Sequence, residues 1–307
     1  MNKISIIMPF RNEGAEFGNT VESIFQTADS LNDIELILIN DGSDDNLNYE
    51  LVHDIMNKIG NYHINKNPLG VPACRDLGVS LAKYDNLLFI DSHMRFSKGW
   101  QTKIDSEFNY DTLFCSCAVN IGYGKYDLTK FVLSETDNLK KIYGADLHLF
   151  ITKKDKFKDR ILDFKNNFEK GKEINCVIGA FYGIKKGYYN LLKGFEGLKS
   201  WGSAEPYLSL KVLLSGGQIK CLSDVEIGHI YRDKPTYSKH FLWEIYNKFA
   251  MAYLFYDEKV FLKVIEPLKT APSYKFAYSV FKLEKPKLTE LKLYLNRIFV
   301  KSINDIL

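Results

Sequence analysis

Three short, almost unbroken apolar runs constrain the fold of this chain more than any other feature. "ISIIM" (4–8), "IELILI" (34–39) and "NLLFI" (86–90) have the pattern of strands buried on both faces, whereas a half-exposed strand would alternate. Between the first two lies "EFGNTVESIFQTADS", in which Phe17, Val21, Ile24, Phe25 and Ala28 fall on one helical face. "VPACRDLGVSLAKY", before the third run, is also helix-like. Strand-helix-strand alternation predicts an α/β fold, a mostly parallel sheet flanked by helices. Such sheets bind ligands beyond the carboxyl ends of their strands, near a switch in strand order. Polar clusters follow those ends here: Arg11-Asn12-Glu13, Asn40 to Asp45, and Asp91-Ser92-His93.

With 307 residues, 46% of them apolar, the chain has ample material for a core. The net charge of +3 does not by itself argue for nucleic acid or an anionic membrane. The opening "MNKISIIMPFRNEG" is interrupted by Pro9, Arg11 and Glu13, which reads as neither a signal peptide nor a membrane span. Five cysteines without a CxxC pair do not suggest a disulfide framework, so a cytoplasmic location is expected. Cys115 and Cys117, in "TLFCSCAV", read as part of a buried strand.

Residues 139–175, rich in Lys and Asp, read as irregular or short helical excursions. In "EPYLSLKVLLSGG", Pro206 suits a first helical turn, and Gly216-Gly217 suit a helix stop. Beyond Pro235 the aromatic-rich sequence reads as helical, with charges too frequent for a membrane span. It is expected to pack on the main body; an interfacial or acceptor-binding surface is the alternative.

Asp91 and His93 point to the same side of an extended chain and Ser92 to the other. Such a pair can share a metal ion or can be an ordinary polar strand end, and the three residues alone leave both readings open.

Further motifs bear on that choice. "SIIMPFRNEG", "LILINDGSDD", "NPLGVPACRDLG" and "FIDSH" occur in the order and approximate spacing of family 2-type glycosyltransferases with the GT-A fold, which this chain resembles. The block from Val177 to Arg232 resembles polypeptide N-acetylgalactosaminyltransferases. It carries Gly179 and Phe181, Trp201-Gly202, Gly216-Gly217, and Gly228-His229-Ile230-Tyr231-Arg232 in that order. The resemblance covers about residues 3–235, and no lectin-like domain is expected after it.

The resemblance implies a GT-A (nucleotide-diphospho-sugar transferase) fold over 1–235 and a helical extension packed on it over 236–307. It implies metal ligands Asp91, His93 and His229, and donor contacts at Pro9, Asp41, Arg75, Asp91, Gly179 and Arg232. Glu205, Trp201 and Arg232 are the implied catalytic residues. A carboxylate with two imidazoles suits manganese better than magnesium, which prefers oxygen ligands. The cation and Arg232 would stabilise the diphosphate leaving from a UDP-sugar. Other readings stay open residue by residue: turn stabilisation for Asp41, a helix-surface ion pair for Arg75, a core position for Trp201. The 233–240 segment either closes over the donor or is a linker.

One departure concerns the donor. The family's Trp-Gly-Gly-Glu-Asn is Trp201-Gly202-Ser203-Ala204-Glu205 here, and Ala204 cannot make the sugar contact of the family's glutamate. The resemblance therefore does not fix the sugar. Glu205 stands where inverting family 2 enzymes place a general base, so inversion is the alternative to the expected retention. The acceptor is expected to be a glycan, with a protein hydroxyl or a modified nucleic-acid base as alternatives. A nucleotide-sugar-binding protein without transfer activity is the reading from another class.

Overall fold

The computed structural model describes residues 1–45, 60–122, 136, 138–151, 160–232, 236 and 241–306. Its first half realises the alternation read from the sequence: β1 (Ile4–Phe10), α1 (Ala15–Thr27), β2 (Ile34–Asn40), β3 (Gly60–Ile64), α2 (Val71–Leu81) and β4 (Asn86–Ile90). β1, β2 and β4 are buried along their whole length because each face of the sheet carries its own core. Leu36, Leu38, Leu88 and Ile90 face a core that holds Phe17, Val21 and Ile24 of α1. Their neighbours Ile37, Ile39, Leu87 and Phe89 face the opposite core, with Cys74 and Val79 of α2. Gly78 lets α2 lie close: a Cβ there would stand 2.4 Å from Ile7 Cγ2.

β1 pairs in parallel with β2 on one side and with β4 on the other. That reversal in strand order is where the carboxyl ends splay around a crevice. The chain continues through β5 (Met94–Phe96), α3 (Trp100–Ile104), β6 (Thr112–Asn120) and β7 (Lys141–Ile142). Next come β8 (Ala145–Ile151), β9 (Arg160–Asn166), β10 (Phe181–Lys185), α4 (Lys186–Leu191), α5 (Ala204–Leu214) and β11 (Gln218–His229). The main sheet runs β3-β2-β1-β4-β10-β6-β11-β5, with β7 beside β6. β10 is antiparallel to β4 and to β6, while β11 is parallel to β6 and antiparallel to β5. Cys115 and Cys117 lie in buried β6, as expected.

Residues 139–175 differ from the irregular or helical expectation. β8 and β9 form an antiparallel two-stranded sheet, Ala145 opposite Asn166. Leu147 and Leu162 turn into the core, with β9 against α5, and Asp146, Asp163 and Lys165 lie on the other face. In "ADLHLFI" the alternation is present but short, and the surrounding Lys and Asp mask it.

The C-terminal segment is helical and packed: α6 (Phe241–Phe255), α7 (Glu258–Leu268) and α8 (Tyr274–Ile298). Ala277, Phe281, Leu288, Leu291 and Leu295 line the inner side of α8 at helical spacing. They join Tyr246, Phe249 and Met251 of α6 in the same cluster as Ile7 and Phe89 of the sheet. None of the described helices is long and apolar enough to cross a membrane.

Lys211, in α5, is fully buried. Its Nζ donates to Gly194 O at 2.9 Å and sits 4.1 Å from the Tyr207 ring centroid. Burial pushes its pKa down to about 7, against the charges of Asp76 and Glu196. Unfolded, the lysine keeps its proton to about pH 10. Between those values the unfolded state holds more protons, so this group's destabilising contribution is constant below pH 7 and fades as pH rises. We predict that Lys211→Met is more stable than the parent at pH 7. In urea unfolding that advantage should narrow by roughly 2–3 kcal/mol by pH 9; a pH-independent difference would show that the ammonium is not buried as described.

Candidate active site

Asp91, His93 and His229 come together through two pairing events. β4 carries Asp91 at its carboxyl end, where its backbone N–H donates to Ala180 O at 3.1 Å. β11 runs back along β5, placing His229 opposite Met94, and Ile230 N–H donates to His93 O at 3.2 Å. Residues 136 positions apart in sequence thus present their imidazoles with centroids 4.9 Å apart. One ligand atom from each of the three residues lies within 4.8 Å of the others. Ser92, between the first two, is buried.

The chemistry of this trio fits a cation. His229 Nε2 is 3.3 Å from Asp91 Oδ2, a charge-assisted contact. Both nitrogens of the buried His229 ring lack a hydrogen-bond partner among the described residues. Buried polar atoms are rarely left so, and a carboxylate facing two imidazoles is a donor set for a first-row divalent ion. Burial lowers the pKa of His229, helped by the charges of His93 and Arg232 and opposed by Asp91, so the ring is neutral and free to ligate at pH 7. For Asp91, burial pushes upward, yet His229, His93 and Arg75 together carry its pKa down to about 2. The side chain keeps 30% of its surface accessible, facing the crevice.

Glu13, just beyond β1, supports the trio from behind. Its Oε2 is 3.2 Å from His93 Nδ1 and 2.8 Å from Arg232 Nη2. A proton on Nδ1 donated to Glu13 leaves His93 Nε2 as the ligand atom, the usual carboxylate–histidine–metal arrangement. Burial raises the Glu13 pKa, but His93 and Arg232 outweigh it and hold the group ionised. The sequence pointed only to a polar cluster at 11–13; that Glu13 meets both His93 and Arg232 follows from pairings no local pattern contains.

Arg75 occupies the floor. Its side chain is 2% exposed, reaching Glu205 Oε1 at 3.1 Å, Asp91 Oδ1 at 3.4 Å and Gly179 O at 3.1 Å. It is neither on the helix surface nor open to the crevice. A Cβ at Gly179 would stand 2.6 Å from Glu205 Oε1, so a side chain there would push the carboxylate off Arg75. Asp41, at the end of β2, accepts from Leu69 N and Asn65 Nδ2 through Oδ1 and from Gly70 N through Oδ2, stitching the 65–70 turn to the sheet. Pro9 is buried beside Ile39. Trp201 is half-buried on the loop before α5, and Ala204 is buried at that helix's start. Of the 233–240 segment only Thr236 is described, its hydroxyl donating to Arg11 O; the rest of the segment expected to close or link lies outside the described residues.

His229→Ala is predicted to abolish the thermal stabilisation that manganese gives the parent. Glu13→Gln should remain folded and bind the ion about 10- to 100-fold more weakly. Calorimetric titration measures both, and unchanged affinity in both variants would remove the metal centre.

The profile of the family described as "Glycosyl transferase family 2" matches residues 5–192, more than half the chain. A Drosophila melanogaster polypeptide N-acetylgalactosaminyltransferase 8 is 25% identical over 236 residues, covering 75% of this chain and 38% of that protein. Human polypeptide N-acetylgalactosaminyltransferase 10 is 24% identical over 244 residues, covering 76% and 38%. The chain thus spans well under half the length of these relatives. The structure superimposes on GalNAc-T7, solved with UDP, GalNAc and Mn2+, with TM-score 0.66 and 18% identity, covering 92% of this chain and 54% of that one. Against S. aureus TarS residues 1–349, solved with UDP-GlcNAc, the TM-score is 0.52 at 16% identity, covering 94% and 79%. The architecture is therefore the GT-A fold with additional C-terminal helices, as the sequence led us to expect.

Proposed function

The chain belongs to glycosyl transferase family 2, and from that premise we propose that it moves a sugar from a UDP-sugar to an acceptor hydroxyl with the help of a divalent cation. The observation that carries this reading is the Asp91, His93 and His229 trio, with one ligand atom from each within 4.8 Å of the others. Manganese is the cation we favour, from the mixed carboxylate and imidazole donors and from its presence with UDP in GalNAc-T7. When bound, the ion supplies Lewis acidity toward the diphosphate.

The chain's own residues do the rest. Arg232, oriented by Glu13, adds positive charge where the diphosphate gathers negative charge. Asp41 and the turn it anchors, with Pro9, form the nucleotide end of the cleft, and Gly179 lies on its floor. Arg75 acts from beneath, holding Asp91 and Glu205 in register. Trp201 covers the donor side. We take residues 1–235 as the catalytic part and 236–307 as an extension packed on it.

Retention is the favoured stereochemistry, with the departing diphosphate taking the acceptor proton on the face it leaves. The likeness of the Val177–Arg232 block to N-acetylgalactosaminyltransferases supports this, as does the engagement of Glu205 by Arg75. Inversion, with Glu205 as general base, is the second reading, favoured by the position of Glu205 in the same network as Asp91. Ala204 keeps N-acetylgalactosamine from being assigned as the donor sugar. A glycan is the acceptor class we place first.

A panel of UDP-sugars, with and without manganese, tests the proposal through thermal shift and UDP release. One sugar nucleotide should stabilise the parent only with the ion present, release UDP, and do neither with His93→Ala. The anomeric configuration of the product, read by NMR, should match the donor. An inverted product that disappears with Glu205→Gln would establish the second reading, and metal-dependent binding without turnover on any acceptor would leave a binding protein.

A further inference from the structure

We propose that Asn247, on α6, is a positioning residue of the transferase site, so that the C-terminal helices complete the catalytic centre. This inference rests on the UDP-sugar transferase reading. Asn247 is fully buried, and its amide is spent entirely on one loop. Oδ1 accepts from Lys199 N at 2.9 Å, while Nδ2 donates to Lys199 O at 2.9 Å, Trp201 O at 3.2 Å and Gly202 O at 2.9 Å. With two N–H groups for three carbonyls, one bond is shared.

The loop needs this support. Ser200, Gly202 and Ser203 have φ of 54°, 103° and 66°, and two of the three carry side chains that disfavour such values. From the opposite side the loop is pressed against the turn anchored by Asp41: a Cβ on Gly70 would stand 2.2 Å from Ser200 O, and Gly70 N donates to Asp41 Oδ2. On the α6 side a Cβ on Gly202 would lie 3.4 Å from Glu244 Cγ, one turn before Asn247. The loop is therefore clamped between the nucleotide end of the cleft and the C-terminal helices. Ser203 then opens α5, whose second residue, Glu205, meets Arg75. Releasing the clamp shifts Trp201 and loosens Glu205 against Arg75, while Asp91, His93 and His229 keep the backbone pairings that hold them at the ends of β4 and β11. Misplacement of about 1 Å at such a site costs on the order of 100-fold in rate.

Asn247→Ala and Asn247→Ser are compared with the parent and with Tyr246→Phe, which removes a neighbouring bond from the same helix to Gly197 O. Calorimetry gives the affinity for UDP with manganese, and steady-state UDP release gives kcat and KM on whichever of UDP-glucose, UDP-galactose, UDP-N-acetylglucosamine and UDP-N-acetylgalactosamine the parent uses fastest. Hydrogen exchange follows the 199–205 peptides in the parent and in every variant recovered folded. The expected result is UDP affinity within twofold of the parent, kcat at least 20-fold lower in an Asn247 variant, faster exchange at 199–205, and parent-like turnover in Tyr246→Phe. Parent-like kcat in every folded Asn247 variant overturns the proposal, as does a loss of UDP affinity that parallels kcat. If neither Asn247 variant folds, rapid exchange at the Lys199 amide of the parent overturns the clamp, and strong protection there supports it. A parent that releases no UDP from any of the four donors overturns the transferase reading itself.

Discussion

The site is organised around a buried guanidinium. Arg75 lies inside the protein, and a charge taken out of water is tolerated only where several oxygens meet it. Those oxygens come from three distant parts of the chain: Asp91 after β4, Gly179 before β10, and Glu205 in the first turn of α5. Because guanidinium geometry is planar and rigid, these contacts fix the three segments relative to one another. Removing the guanidinium would leave Asp91 and Glu205 without the cation they share, so the ends of the strands are locked by electrostatics as well as by packing.

Around this knot the topology does the converging. The sheet reverses strand order at β1, which gathers the carboxyl ends of β1, β2 and β4 at one edge. β11 then brings His229 to that edge from the far side by pairing with β5. The apolar cluster beneath is continuous from Ile7 to Leu295, so the C-terminal helices share the core of the sheet and are well placed to hold a loop at its rim. Glu13, His93 and Arg232 form a second chain of contacts, from β1 to the end of β11.

What could be read from sequence followed periodicity and local spacing. The runs at 4–8, 34–39 and 86–90 announced doubly buried strands because burial on both faces leaves few polar positions. Asp91 and His93 were visible as a pair because strand geometry puts alternate residues on one side. His229 entered through motif resemblance; nothing in its own neighbourhood marks it as a partner of residues near 91. The hairpin of β8 and β9 was hidden by its charged face, since Leu147 and Leu162 are sparse among Lys and Asp. Arg75 read as nucleotide-binding or as a surface ion pair because its burial depends on Glu205, 130 residues away. Asn247 gave no signal, being one amide in an aromatic helix whose bonds run entirely to another segment.

The charges at the crevice favour a cation there. Asp91, Glu13 and Glu205 supply three negative charges, and Arg75 and Arg232 two positive ones. With both imidazoles neutral, as ligation requires, the cluster carries one net negative charge and would repel a diphosphate. A divalent ion would turn that into one net positive charge at the point where His229 and Asp91 face each other. On the proposed reading, affinity for a sugar nucleotide depends on the ion being present, because both arginines are already committed to carboxylates. The carboxylates that by themselves would repel an anion are thus the same groups that would orient the ligands of an ion that reverses the charge.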